Sequence, residues 1–287
     1  GTQFRIGAFN SNEAVGTNYS ANHYVFIAIL ATENNTIVQF EDIRPGVELL
    51  NNESVGNNPA WVTLNAGESY VMAVKGPHDE NRDGLLGALV SSDKPIVVNC
   101  GSLAGSNATQ NLDLGFDQIV SAERTGKEYI FIKSTGADIV ERILLVGHED
   151  NTLVYLNGSP GASFLLNAGE YIELDGSDYT ANGNLYVNTD KNVFAYQSIG
   201  DGSSAPGEYP NQELFFVPPL NCETPHVIDN IPLIERIGTR IFTGRVTMVT
   251  ETGSTLNFRI NGIDYTLGQL AFQPGIIITG PTSVEGN

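Results

Sequence analysis

The chain repeats itself. The run Asn35-Thr36-Ile37-Val38-Gln39-Phe40, followed by Leu64-Asn65-Ala66-Gly67-Glu68, returns as Asn151-Thr152-Leu153-Val154-Tyr155-Leu156, followed by Leu166-Asn167-Ala168-Gly169-Glu170. A third version opens at Ser254-Thr255-Leu256-Asn257-Phe258, turns at Asn261-Gly262 as the second turns at Asn157-Gly158, and reaches Gln273-Pro274-Gly275 where the others have Asn-Ala-Gly. The first two go on through Ser92-Asp93-Lys94-Pro95 and Thr189-Asp190-Lys191-Asn192 into an apolar run, and the third stops short of one. Repetition of this kind is expected of a modular scaffold, whose units bury their apolar faces against neighbours or inside a complete sandwich. The unfinished third copy makes a longer parent protein the expectation.

Nearly every periodic segment alternates with period two. Glu68-Ser69-Tyr70-Val71-Met72-Ala73-Val74 and Thr152-Leu153-Val154-Tyr155-Leu156 are short, rich in β-branched and aromatic residues, and bounded by Gly, Asn, Asp or Pro, which predicts strands. Asn157-Gly158 and Asn261-Gly262 supply the positive φ angles of type I′ hairpin turns. The expected fold is all-β, a tandem array of antiparallel β-sandwich-like units: residues 1–120 with loop insertions, 121–207, and a truncated unit at 208–287. A propeller-like ring of short sheets also reuses similar copies, but units of about 100 residues exceed a blade of about 40–45 and favour sandwiches.

The mismatches between copies locate insertions. Thr36 to Thr152 spans 116 positions, Leu64 to Leu166 102, and Asp93 to Asp190 97. The first unit therefore has 14 extra residues inside its hairpin (116 − 102), within Asp42 to Ala60, and five more (102 − 97) around His78 to Gly84. Excursions at loop tips are where specialised binding surfaces arise.

Composition narrows the partners. A net charge of −19 with 14 basic residues repels phosphate backbones and anionic lipid, so nucleic acid is excluded. The longest apolar stretch, Tyr24 to Ala31, falls short of the roughly 18 residues that span a bilayer, so no membrane insertion is expected of this fragment. Cys100 and Cys222 stand at the edges of neighbouring units and are read either as one disulfide or as two separate thiols. A bridge would close a long loop and stabilise by about 4–5 kcal/mol in the chain-entropy model.

Several of these segments, taken together, resemble the N-terminal domain of IgGFc-binding proteins. The resemblance rests on Gly1-Thr2-Gln3-Phe4 with Ala8-Phe9-Asn10, the Asn-Thr-hydrophobic hairpin, Leu-Asn-Ala-Gly-Glu, Ser-Asp-Lys-Pro leading to Val-Val-Asn-Cys-Gly, and Asp117-Gln118-Ile119-Val120 before Gly126-Lys127-Glu128-Tyr129. It runs through about Gly1 to Pro219 and more weakly beyond. It implies a module of large secreted or surface proteins, in a bacterial version, located extracellularly or at the cell surface. Antibody binding does not follow, since the cysteine-dense sequence that accompanies the module in an animal mucus protein is absent here.

For chemistry the residues offer little. Asp79-Glu80-Asn81-Arg82-Asp83-Gly84 sets oxygen ligands Asp79, Asn81 and Asp83 at calcium-loop spacing with the turn glycine, but Val90 stands where the bidentate acid belongs, so the segment is read either as a partial calcium loop or as an acidic, solvated insertion. Asp175-Gly176-Ser177-Asp178 is a second, less specific polar loop. The four histidines lack zinc spacing, and no nucleophile elbow, phosphate loop or dinucleotide fingerprint occurs. Trp61, the only tryptophan, follows the long insertion; it is read as a ligand-stacking residue or as a plug of the sandwich core, the alternation around it favouring the core. The functional expectation is a non-catalytic structural or adhesive module binding a glycan or surface protein through loops of the first unit. Alternatives are a self-associating filament or matrix subunit, pairing with copies of itself by strand edges, and a polysaccharide-acting hydrolase with two unmarked carboxylates.

Overall fold

Alternating burial, such as the buried Thr36, Val38 and Phe40 between exposed Ile37 and Gln39, builds two sandwiches on one plan. The computed structural model describes residues 1–9, 25–50, 60–75, 79–102, 114–200, 213–221, 227–228, 236–241, 248 and 254–270. In the first unit, β1 (Gln3–Arg5), β2 (Val25–Ala31), β3 (Thr36–Glu41), β4 (Ala60–Leu64) and β5 (Ser69–Ala73) precede a helical turn α1 (Asp79–Arg82), then β6 (Leu89–Ser92), β7 (Ile96–Ser102) and β8 (Gly115–Ile119). They form two four-stranded antiparallel sheets, β1-β6-β3-β4 and β5-β2-β7-β8. Phe4, Val38, Phe40 and Val90 of one sheet meet Ile27, Ile29, Met72 and Val98 of the other in one core.

The second unit follows the same order with β9 (Gly126–Ile132), β10 (Arg142–Gly147), β11 (Thr152–Leu156), β12 (Phe164–Leu166), β13 (Tyr171–Leu174), β14 (Asn184–Ile199) and β15 (Glu213–Phe216). Here β6 and β7 have a single counterpart. The first half of β14 pairs with β9 and β11, the second with β10 and β15, and the register shifts between Asn188 and Val193. Pro95, which lacks the N–H that continues a ladder, stands at the break in the first unit, and Asn192 stands at the corresponding position in the second. The second sheet extends past residue 207 to include β15, the equivalent of β8.

The repeated signature is the corner where three of the crossovers between the sheets, β2 to β3, β4 to β5 and β6 to β7, meet. The Thr36 and Thr152 hydroxyls donate to the carbonyls of Glu33 and Glu149 at 2.8 and 2.7 Å. Asp93 and Asp190 accept the Ile37 and Leu153 amides at 2.7 Å each. Glu68 and Glu170 accept the amides of Asn65 and Asn167, at 2.7 and 2.8 Å, across the turns of Gly67 (φ 82°) and Gly169 (φ 79°). Lys94 and Lys191 close the corner by donating to the carbonyls of Asn34 and Asp150. Each such bond is worth about 0.5–1.5 kcal/mol net. The motif is therefore scaffold in both copies.

The two units share a layer. Ile143, Leu145, Val193 and Ala195 point into the second core, while Leu144, Val146, Phe194 and Tyr196 join the first. Tyr196 donates to the Arg5 carbonyl and its ring lies against Gly7, where an added Cβ would sit 2.5 Å from it. Asp117 of β8 accepts the Phe216 amide of β15 at 2.9 Å. The β10/β14 layer thus closes the β1/β8 side of the first sandwich.

Asn261-Gly262 makes the expected two-residue turn between β18 (Asn257–Ile260) and β19 (Ile263–Thr266), with φ 51° and 81°, after the short pair β16 (Arg236–Ile237) and β17 (Arg240–Ile241). Asn157-Gly158 differs. Both residues have positive φ, yet the last β11/β12 pair is Val154 with Phe164, so the connection is longer than two residues. Asn157 instead exchanges bonds with Tyr186 of β14, donating from its amide and accepting on its side chain.

Candidate functional site

Trp61 lies on β4, which among the described residues is an edge strand paired only with β3, and is 65% exposed. The expectation of a core plug is overturned: buried Leu64, three positions along the strand, fixes the opposite face for Trp61. Strand register sets Trp61 beside Gln39, Gln39 beside Ser91, and Ser91 beside Gln3. An exposed indole therefore heads a row of neutral amide and hydroxyl groups across the outer sheet face. Ile37 and Thr63, both exposed, form the adjoining row.

The second unit carries the equivalent row. Ser163, Tyr155, Asn188 and Glu128 take the places of Trp61, Gln39, Ser91 and Gln3, with Tyr155 paired to Asn188 and Asn188 to Glu128. Tyr186 stands two residues before Asn188 on the same face of β14, and burial followed by the Glu128 charge raises its phenol above the ordinary value. This row depends on matching Gly1-Thr2-Gln3-Phe4 with Gly126-Lys127-Glu128-Tyr129. That correspondence is visible in the sequence as Gly-x-polar-aromatic, but it is too short to stand out alone.

Between the units lies an open cleft of about 440 Å³, bounded by Asp42, Arg44 and Leu86 of the first and Leu165, Glu170 and Tyr171 of the second. Behind it the Arg5 guanidinium, 4% exposed, donates to Asp42 at 2.5 Å and to the Gly87 carbonyl at 2.9 Å. Arg44 lies beside Tyr171, whose phenol is raised by burial and by Asp83. Arg142 pairs with Glu173 and lies 5.5 Å over the Phe9 ring, and burial lowers its guanidinium to about 10, leaving it charged at neutral pH.

The remaining candidates occupy structural positions. Asp79 begins α1; its side chain lies outside the described residues. Asn81, expected as a calcium ligand, is 3% exposed, and its carboxamide accepts the Glu48 amide at 2.8 Å and donates to the Lys75 carbonyl at 2.7 Å. It ties the two insertions together. Asp83 receives two bonds of 3.2 Å from Arg82. Asp175 accepts both the amide and hydroxyl of Ser177, which hold its carboxyl below the ordinary value. Among the described residues no group of three or more His, Cys, Asp or Glu is set to hold a metal ion.

Cys100 is a buried free thiol in β7, pushed up to about 12 by desolvation, and Cys222 lies outside the described residues. His148 packs at 5.9 Å from the Phe194 ring, and burial followed by the Arg5 charge lowers its imidazole.

Two antiparallel sandwiches sharing a layer define an all-β scaffold. The family model for the IgGFc binding protein matches residues 1–283, so the chain belongs to the IgGFc-binding family, a family of secreted and cell-surface binding proteins. No curated protein and no solved structure matches the chain. Among the described residues no helix is long and apolar enough to cross a membrane.

Proposed function

We propose that the chain is a non-catalytic extracellular binding module that engages a glycan or a surface protein at the outer face of the first sheet, with Trp61 as the anchor. The observation that carries this reading is the 65% exposure of the only tryptophan on a sheet face. A large apolar ring is stabilised by burial, so exposure beside amides and hydroxyls is what a ligand platform requires. The site therefore lies on the strand just after the long insertion. Array binding to immobilised glycans and surface proteins tests it: Trp61→Ala is expected to weaken the captured ligand about tenfold, roughly 1.4 kcal/mol. Unchanged affinity in a variant that retains its melting temperature sinks the reading.

Self-association has one observation in its favour. Among the described residues the edge strands β4 and β12 each pair on one side only, and β12 exposes Leu165 to 55%. Sedimentation over a hundredfold concentration range separates this filament reading, which requires mass growth, from a monomeric binding module.

A further inference from the structure

The two aromatic rows are not isolated from each other, and their connection runs through the cleft. In the first unit, Glu41 stands two residues beyond Gln39 on the outer face of β3 and accepts the Ser91 hydroxyl, and the next residue, Asp42, lines the cleft. In the second unit Leu165 lines the same cleft and pairs with Leu153, two residues before Tyr155 on the same face of β11. A surface thus leads from Trp61 past Asp42 and Leu165 to Tyr155, Asn188 and Glu128. At about 3.4 Å per strand residue, it spans several times the width of one ring stack.

The chemistry of that surface selects its occupant. Trp61 and Tyr155 offer flat π faces, and Gln3, Gln39, Ser91, Ser163 and Asn188 offer both donors and acceptors. Neither row holds a cation. Of the two arginines at the cleft, Arg5 is paired with Asp42, and Arg44 lies in the cleft beside Tyr171 and outside both rows. With Glu128 at one end and a net charge of −19, an anionic chain is repelled. We propose that both units together bind one uncharged, extended polysaccharide chain, which stacks on Trp61 and Tyr155 and crosses the inter-unit cleft.

This rests on the proposed Trp61 platform and extends it to a second unit and a ligand class. The test measures binding of three neutral soluble polysaccharides, a β-glucan, a xyloglucan and a galactomannan, with short oligosaccharides of each and a sulfated polysaccharide for comparison. The protein is used whole, as wild type, Trp61→Thr and Tyr155→Thr. Threonine suits a strand, and an unchanged melting temperature shows that each variant is folded. The expected result is that at least one neutral polymer binds, that each substitution weakens it about tenfold, and that its short oligosaccharides bind more weakly than the polymer.

If Tyr155→Thr binds the polymer as wild type does while Trp61→Thr does not, the Trp61 platform stands and the two-unit inference falls. Failure of both substitutions to matter removes both readings. Preference for the sulfated chain, or binding of none of the neutral polymers, overturns the ligand class.

Discussion

The two sandwiches match where the chain turns and differ where it is exposed. Asp93 and Asp190, Glu68 and Glu170, and Lys94 and Lys191 make the same bonds in the same corner. On the outer faces, Trp61 stands opposite Ser163 in the comparison and Gln39 opposite Tyr155. Identical corners hold different faces, which is how a duplicated scaffold acquires surfaces of its own. The units also close differently. Where the first unit buries Val25, the second buries Glu141, whose carboxylate accepts the amides of Ser134 and Gly136 at 2.8 Å and Gly200 at 3.1 Å.

The largest effect is expected at the junction. Gly87 has φ 78°, and a Cβ there would lie 1.9 Å from the Gly169 carbonyl oxygen of the other unit. Gly67, with φ 82° and nothing within 4 Å of an added Cβ, isolates the conformational part. Gly87→Ala is expected to destabilise by about 3 kcal/mol or more, against about 1–2 for Gly67→Ala. Equal losses in denaturant titration would show that the units do not press on each other there. Next comes Glu141→Ala, which strands three amides in a buried site and is expected to cost about 3 kcal/mol. A loss within experimental error would remove this account of the second unit's closure.

The corner itself predicts symmetry. Asp93→Ala and Asp190→Ala each delete one bond to a strand amide and should each cost about 1 kcal/mol. A difference larger than the individual values breaks the equivalence of the two corners. The smallest effect concerns His148, which stands where the first unit has Thr32. Its imidazole is lowered in the folded state, so the unfolded chain binds more protons there; the stability this contributes is present above about pH 6.5 and lost as pH falls below it. His148→Thr should flatten the fall in melting temperature between pH 7.5 and 5.5 by about a degree or two. An unchanged slope would assign the pH dependence elsewhere.

Most of the scaffold was legible because its signals are local. Thr36 reaches Glu33, Glu68 reaches Asn65, and the same short spacings recur at 152 and 170, so the repeat exposed the corner without any tertiary information. The shared layer was harder. Ile143-Leu144-Leu145-Val146 does not alternate, because it is buried on both faces, and only the neighbouring unit explains why. The partners of Asn81, Glu48 and Lys75, are supplied by the first insertion and by the chain just after β5, which spacing does not reveal. For Trp61 the core reading fails on parity alone: an odd step from buried Leu64 sets it outward.

Because Trp61 is the only tryptophan, its emission reports on the proposed platform without labelling. The most direct measurement is acrylamide quenching of that emission in the free protein and at saturation with whichever array ligand or neutral polysaccharide binds. The account predicts ready quenching in the free protein and protection in the complex. Emission already shielded in the free protein, or quenching unchanged at saturation, would contradict it.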